Sequence, residues 1–156
     1  MSDYMSNDTQ KKDFEVLSHT ADLKIRVYGK NLEDLFHNAL VGMFQVIKPL
    51  AQGCTYKQNR LICPALNASH EFTVQSHDIN SLLVDFLAQT LALSDIYNEA
   101  YLDVTLTFID SNKLNAIIYG VAIQGYEVVE IKAVTYHDLD IKQINGRWQT
   151  DIVFDI

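Results

Sequence analysis

The sequence predicts an α+β fold, with two helices packed on a mostly antiparallel β-sheet in one domain. Three observations lead there. Apolar residues recur at helical spacing in two separate segments. Between and around them lie short runs that alternate apolar with polar side chains. Near the end, Asn145-Gly146 is flanked by such runs, and this dipeptide suits a two-residue hairpin turn with positive φ at both positions. The length of 156 residues fits one domain. A chain of that size buries about two thirds of the surface its unfolded form exposes, enough for a real core.

Met1 to Lys12 is polar and reads as a mobile tail, leaving 13–156 as the domain. Phe14 to Tyr28 reads as extended structure interrupted by the polar turn Ser18-His19-Thr20. In it Leu23, Ile25 and Val27 alternate with Lys24, Arg26 and Tyr28, so one face is buried and the other wet. The first helix spans Asn31 to Ile47. Its stripe is Leu32, Leu35, Phe36, Ala39, Leu40, Met43, Phe44 and Ile47. Asn31 is its N-cap, Glu33 and Asp34 suit the positive end of the helix dipole, and Pro49 follows its end. Cys54 to Cys63 reads as a hairpin turning at Gln58-Asn59, with Lys57 facing Arg60 and Cys54 facing Cys63. Glu71 to Gln75 is a short strand. The second helix runs from about Ile79 to Tyr97, capped by Asp78 or Asn80, with Leu82, Leu83, Phe86, Leu87, Thr90 and Leu91 on its apolar face. Tyr101 to Ile109 and Leu114 to Ile123 are strands joined by Asp110-Ser111-Asn112-Lys113, and Val128 to Tyr136 is extended.

The turn at Asn145-Gly146 sets a register. Pairing Ile144 with Arg147 puts Ile141 opposite Thr150, Leu139 opposite Ile152, His137 opposite Phe154 and Tyr136 opposite Asp155. Trp148, Ile152, Phe154 and Ile156 then share the inner face, with His137 as a core histidine, while Asp151 and Asp155 point outward. The register has one defect, since it opposes Asp140 to Asp151.

Composition excludes several function classes. Hydrophobic residues make up 48% and charged residues 21%, an ordinary globular mix. A net charge of −8 argues against direct binding to a nucleic-acid backbone and favours a basic protein partner or a cation. No apolar run approaches the roughly 20 residues that span a membrane, so no membrane partner is expected. Met1 to Lys12 has no apolar core of the kind a secretory signal carries, and the two cysteines, which as hairpin neighbours could form a strained cross-strand disulfide, are expected as reduced thiols in a cytoplasmic protein. Two cysteines are too few for a zinc site, and six scattered glycines form no phosphate-binding loop.

Three stretches together resemble the archease family. They are Phe14-Glu15-Val16-Leu17-Ser18-His19-Thr20-Ala21-Asp22 running into Tyr28-Gly29-Lys30-Asn31-Leu32-Glu33-Asp34-Leu35-Phe36, then Lys132-Ala133-Val134-Thr135-Tyr136-His137, and the terminal Val153-Phe154-Asp155-Ile156. Their order and spacing match the family from Phe14 to Ile156. The resemblance implies a non-catalytic accessory protein that helps the tRNA-splicing RNA ligase form its covalent guanylate and turn over repeatedly. It also implies a divalent cation, usually calcium, where Asp22 meets Asp155 and Ile156. The chain departs from the family at Phe86, Ala88 and Gln89, where Trp, Asn and Glu are common, and at Leu23-Lys24, where Val-Gly is commoner.

Each site residue has a plain structural reading beside this one. Asp22 and Asp155 alone would be capping or solvated carboxylates. Beside an Ile156 carboxylate they make a set of hard oxygens of the kind calcium takes. Lys132 is either a surface lysine or a contact to the ligase or its nucleotide. His19 is a turn histidine or a group that orients Asp22, and Tyr136 belongs with the partner-facing set. Two other functions compete: a metal-dependent hydrolase using Asp22, Asp155 and His19, and a general chaperone or adaptor for RNA-modifying proteins.

Overall fold

The computed structural model describes residues 12–17 and 22–156. The expected turn at Ser18-His19-Thr20, and most of the expected tail, lie outside the described residues.

β1 (Phe14–Leu17) and β2 (Leu23–Gly29) form an antiparallel pair, with Phe14 beside Val27 and Leu17 beside Lys24. The alternation in β2 holds. Ile25 and Val27 are fully buried, and Lys24, Arg26 and Tyr28 lie on the other face. α1 (Leu32–Val46) begins where expected, because the Asn31 side chain accepts a hydrogen bond from the Asp34 amide at 2.7 Å. Its stripe from Leu35 through Ile47 is fully excluded from water, and the opposite side is buried too, at Asn38, Val41 and Gly42. A helix buried all round needs packing on two sides. α1 has it, lying against β2 of one sheet and against β7 (Glu99–Asp110) of another. At Gly42 an added Cβ would stand 2.9 Å from the Phe14 ring, so only glycine lets β1 close over the helix there.

β3 (Pro49–Leu50) leads into the hairpin β4 (Thr55–Lys57) and β5 (Arg60–Ile62), which turns at Gln58 and Asn59, both with positive φ. Lys57 faces Arg60 as the sequence indicates. One more step puts Cys54 against Cys63 with Cα atoms 4.4 Å apart, the separation of a non-hydrogen-bonded antiparallel pair. The two sulfurs are bonded. This corrects the expectation of two reduced thiols: the hairpin register places the side chains within bonding distance, and the structure has the pair as a disulfide.

β6 (Ala68–Gln75), α2 (Ile79–Tyr97), β7 and β8 (Lys113–Ala122) follow. The α2 cap is Asp78, which accepts from the Ser81 amide at 2.8 Å; the alternative, Asn80, instead accepts from the Ile141 amide at 2.9 Å. Phe36 of α1 meets Phe86 of α2 at 5.8 Å and Phe108 of β7 at 5.2 Å, so aromatic packing joins both helices to the second sheet. The remaining strands are β9 (Gly125–Tyr126), β10 (Ala133–Val134), β11 (Lys142–Ile144) and β12 (Arg147–Asp155).

All strand pairings are antiparallel. One sheet runs β1-β2-β12-β10 with β11 also on β12, and another runs β6-β8-β7. The ribbons β3-β9 and β4-β5 stand apart.

The last hairpin is correct at its turn and displaced further out. Asn145 and Gly146 take positive φ and Ile144 pairs with Arg147, but the β11 ladder ends at Lys142 with Gln149. Val134, not His137, lies across from Phe154, and Ala133, not Tyr136, lies across from Asp155. The segment between turns back on itself. Asp138 is left-handed at φ 60, and the Leu139 amide donates to the Tyr136 carbonyl. The slip sets an apolar β-branched side chain, in place of an imidazole, beside a fully buried phenylalanine. It also removes the Asp140–Asp151 opposition and leaves Asp151 to Arg26. Tyr136 is therefore 59% exposed and the His137 side chain 68% exposed, so His137 is no core histidine. Ile156 is exposed as well and is not on the inner face.

Buried polar groups are paired. The Gln45 side chain on α1 donates to the Leu61 carbonyl at 3.3 Å and accepts from the Leu61 amide at 2.8 Å, which fastens the disulfide hairpin to the core helix. Gln45→Ala should leave both main-chain groups without partners and cost about 2–4 kcal/mol. Urea unfolding measures this; a loss within about 0.5 kcal/mol, as for an ordinary surface change, would show that the hairpin does not depend on Gln45.

Candidate functional site

The site expected from the sequence lies at one end of the β2–β12 ladder. Seven pairs run from Gly29 beside Trp148 to Leu23 beside Phe154. The ladder stops there, and Asp22 and Asp155 are the residues just beyond its last pair. Leu23 and Phe154 belong to the inner face, so Asp22 and Asp155 fall on the outer one. Asp155 and Ile156 are exposed, and Asp22 is half-buried. On the other side of β12, Ala133 pairs with Asp155 and the Lys132 amide donates to the Asp155 carbonyl at 2.8 Å. The two aspartates, Ile156 and the main chain of Lys132 thus lie at the same end of the β2–β12 ladder, from segments far apart in the chain.

Tyr136 is not among them. The displaced segment carries it away from Asp155, and its exposed ring stands outside this ladder. His19 lies outside the described residues.

The sequence did not show the charge network beside the site. The Arg26 guanidinium donates to Asp151 through Nε at 2.7 Å and Nη2 at 3.1 Å, a fork-to-carboxylate pair across β2 and β12. These bonds hold the Arg26 pKa above its ordinary value. The Lys24 ammonium reaches Asp138 at 3.2 Å and Asp151 at 3.9 Å. Lys24, two positions from Asp22, is thus engaged both by the displaced segment and by β12. Cross-strand pairing of Arg26 with Asp151 could have been found from alternation alone, had the partner of β2 been known. The Lys24–Asp138 pair could not, because it depends on the slip. Further along β2, Tyr28 donates to Glu15 at 2.6 Å and holds that carboxyl below its usual pKa.

Chemically, this arrangement offers hard oxygens. Among the described residues no three His, Cys, Asp or Glu side chains gather closely enough to hold a metal ion. Side chains can supply two carboxylates, and the rest of a coordination shell would have to come from main-chain oxygens of Ile156 and water. That donor set fits calcium or magnesium, which take oxygen ligands and keep waters, and not zinc.

Comparisons with known proteins find relatives along nearly the whole chain. The model of the "Archease protein family (MTH1598/TM1083)" matches residues 14–156. An archease from Methanosarcina barkeri is 32% identical over 155 residues, covering 95% of this chain and 99% of its own. One from Pyrococcus abyssi is 32% identical over 152 residues, covering 93% and 99%. Among solved structures, protein 1598 of Methanobacterium thermoautotrophicum is 27% identical, covers 92% of this chain and 99% of its own, and superposes with a TM-score of 0.62. A Thermotoga maritima archease, described as a possible chaperone, shares the fold with a TM-score of 0.59 at 20% identity, over 91% of this chain and 96% of its own.

If Lys24 pins the displaced segment, Lys24→Gln should raise hydrogen exchange at the amides of His137 to Leu139 while stability falls by only about 0.2–1 kcal/mol, the worth of a partly exposed ion pair. Unchanged exchange there would mean that the segment is held by its own turn.

Proposed function

This chain belongs to the archease family, and on that premise we propose that it is a non-catalytic accessory protein of the tRNA-splicing RNA ligase. In this reading it promotes guanylylation and repeated turnover of the ligase, with a divalent cation, calcium, held by Asp22, Asp155 and Ile156. The observation that carries the reading is that the β2–β12 ladder ends at Leu23 and Phe154, one residue short of Asp22 and of Asp155, while the Lys132 amide donates to the Asp155 carbonyl. Lys132 is exposed and starts the strand beside the carboxylates, which suits a contact to the ligase or its bound nucleotide. The bond-forming chemistry is the ligase's. The Thermotoga relative's description as a possible chaperone is of the same kind, since the target of a chaperone is a protein. A net charge of −8 suits a basic protein surface and disfavours direct contact with the RNA backbone.

The cation should act on stability as well as on activity. A ligand that binds only the folded state adds about 2.7 kcal/mol at a hundredfold excess over its Kd. Calcium should therefore raise the melting temperature of the wild-type chain, and Asp22→Ala or Asp155→Asn should abolish the rise. If either variant keeps the full rise, the cation is bound elsewhere. Lys132→Ala should melt within about 0.5 kcal/mol of the wild type, as exposed strand positions do, and should fail to raise multiple-turnover ligation by the cognate ligase. Full activation by that variant would remove Lys132 from the proposal, and no activation by the wild-type chain would refute the function.

A further inference from the structure

A groove of about 730 Å³ opens on the side of β10 away from β12, between that strand and the C-terminal half of α2. Its volume lies within the range of about 300–1,000 Å³ typical of binding clefts. One wall is the helix face Ala88, Leu91, Ala92 and Asp95, at the three- and four-residue steps of a single helical stripe. The other is Glu130 to Val134, ending in β10. β10 closes the order β1-β2-β12-β10, so among the described residues its far edge has no strand beside it, and the strand lines the groove. The floor is apolar, with Ile47 fully buried and Ile131 nearly so.

The charge of the groove is lopsided. Tyr126 lies in its wall, with its hydroxyl 2.9 Å from Ser94 Oγ. Asp95 and Glu130 line the same groove as Tyr126, whose phenol burial pushes above its ordinary value. Both acids are exposed, and among the described residues neither has a basic side chain as ion-pair partner, Lys132 included. This surface therefore combines an aliphatic floor, an open strand edge and two uncompensated carboxylates. Edge pairing supplies main-chain hydrogen bonds and selects an extended segment. Alternating pockets select its side chains. The carboxylates select its charge.

We propose that this groove docks an extended protein segment that alternates aliphatic side chains with lysine or arginine. The aliphatic side chains rest on Leu91, Ile131 and Val134, and the basic ones meet Asp95 and Glu130. The inference rests on reading the chain as an accessory to a protein partner, and it is independent of the cation at Asp22 and Asp155. It gives the partner a second point of attachment on the opposite side of the strand from Asp155, so that docking here would bring a bound protein up against Lys132.

The test uses the full chain and a short fluorescein-labelled peptide alternating lysine and valine, with the glutamate–valine peptide as control. Saturable binding of the lysine peptide is expected by anisotropy, with amide shifts in a 15N-labelled chain confined to α2 from Ala88 to Asp95 and to Gly125–Val134. The isosteric pair Asp95→Asn and Glu130→Gln should weaken binding about fivefold, the worth of two partly exposed ion pairs, and Ala92→Trp should block the groove. Ala92 is exposed, so that variant is expected to fold; if it does not, the isosteric pair decides. No binding, equal binding of the acidic peptide, shifts elsewhere, or equal competition by spermine would each overturn the proposal. Ligation measured in parallel separates the two readings. A wild-type chain that binds the peptide but leaves the ligase unstimulated contradicts the proposed function and keeps the groove. Charge variants that still bind the peptide at full strength, in a chain that activates, contradict the groove and keep the function.

Discussion

The antiparallel pairing of β2 with β12 is the constraint on which the rest of the structure depends. Its inner face is made by Ile25, Val27, Ile152 and Phe154, all fully buried. At roughly 1.5–3 kcal/mol for each such side chain removed from water, this small patch is a main reason why the two ends of the chain stay together. α1 packs on β2 from inside and on β7 from its other flank, so the paired ends form one wall of the layer that encloses the core helix. A loss of register in this ladder would exchange its buried face for its charged one. It would also separate Asp22 from Asp155.

The second determinant is the failure of the last hairpin to continue. Had β11 extended in the register of its turn, an imidazole would stand beside buried Phe154 and two aspartates would oppose each other. Instead the chain leaves the ladder after Lys142, passes through left-handed Asp138, and returns with Val134 on Phe154. Three consequences follow from that change. Asp151 is left to Arg26, Asp138 becomes the partner of Lys24, and the edge of β10 comes to border a groove. The candidate cation site on one side of β10 and the acidic groove on the other both depend on it.

Much of this could be read from the sequence, for physical reasons specific to each element. Both helices were legible because their apolar residues keep one spacing over four or more turns and begin at Asn31 and Asp78, side chains that cap. The turns at Gln58-Asn59 and Asn145-Gly146 were legible because few residue types tolerate positive φ. The outward side of Asp155 followed from alternation, but its nearness to Asp22 depends on the pairing of β2 with β12, which no local signal marks. The slip was not legible: a turn fixes the register only for the residues that remain in the ladder, and nothing local marks Asp138 as left-handed. The sequence set Cys54 against Cys63, but whether the pair is oxidised depends on more than register. The groove was invisible, because Asp95 and Glu130 come from elements that meet only through the packing of α2 on β10. Phe86, where the family commonly has Trp, is fully buried, so that departure concerns the core, whereas Ala88 opens on the groove.

The proposed cation site needs the two segments brought together by β2 and β12 to act as one. Paramagnetic broadening tests it directly. Manganese, a hard divalent cation that prefers oxygen ligands, would be titrated at substoichiometric levels into the 15N-labelled full chain. The account predicts that the amides of Leu23, Ala133 and Asp155 broaden first and together, and that excess calcium restores them. Broadening that begins at Asp95 and Glu130, or that reaches Asp155 without reaching Leu23, would contradict it.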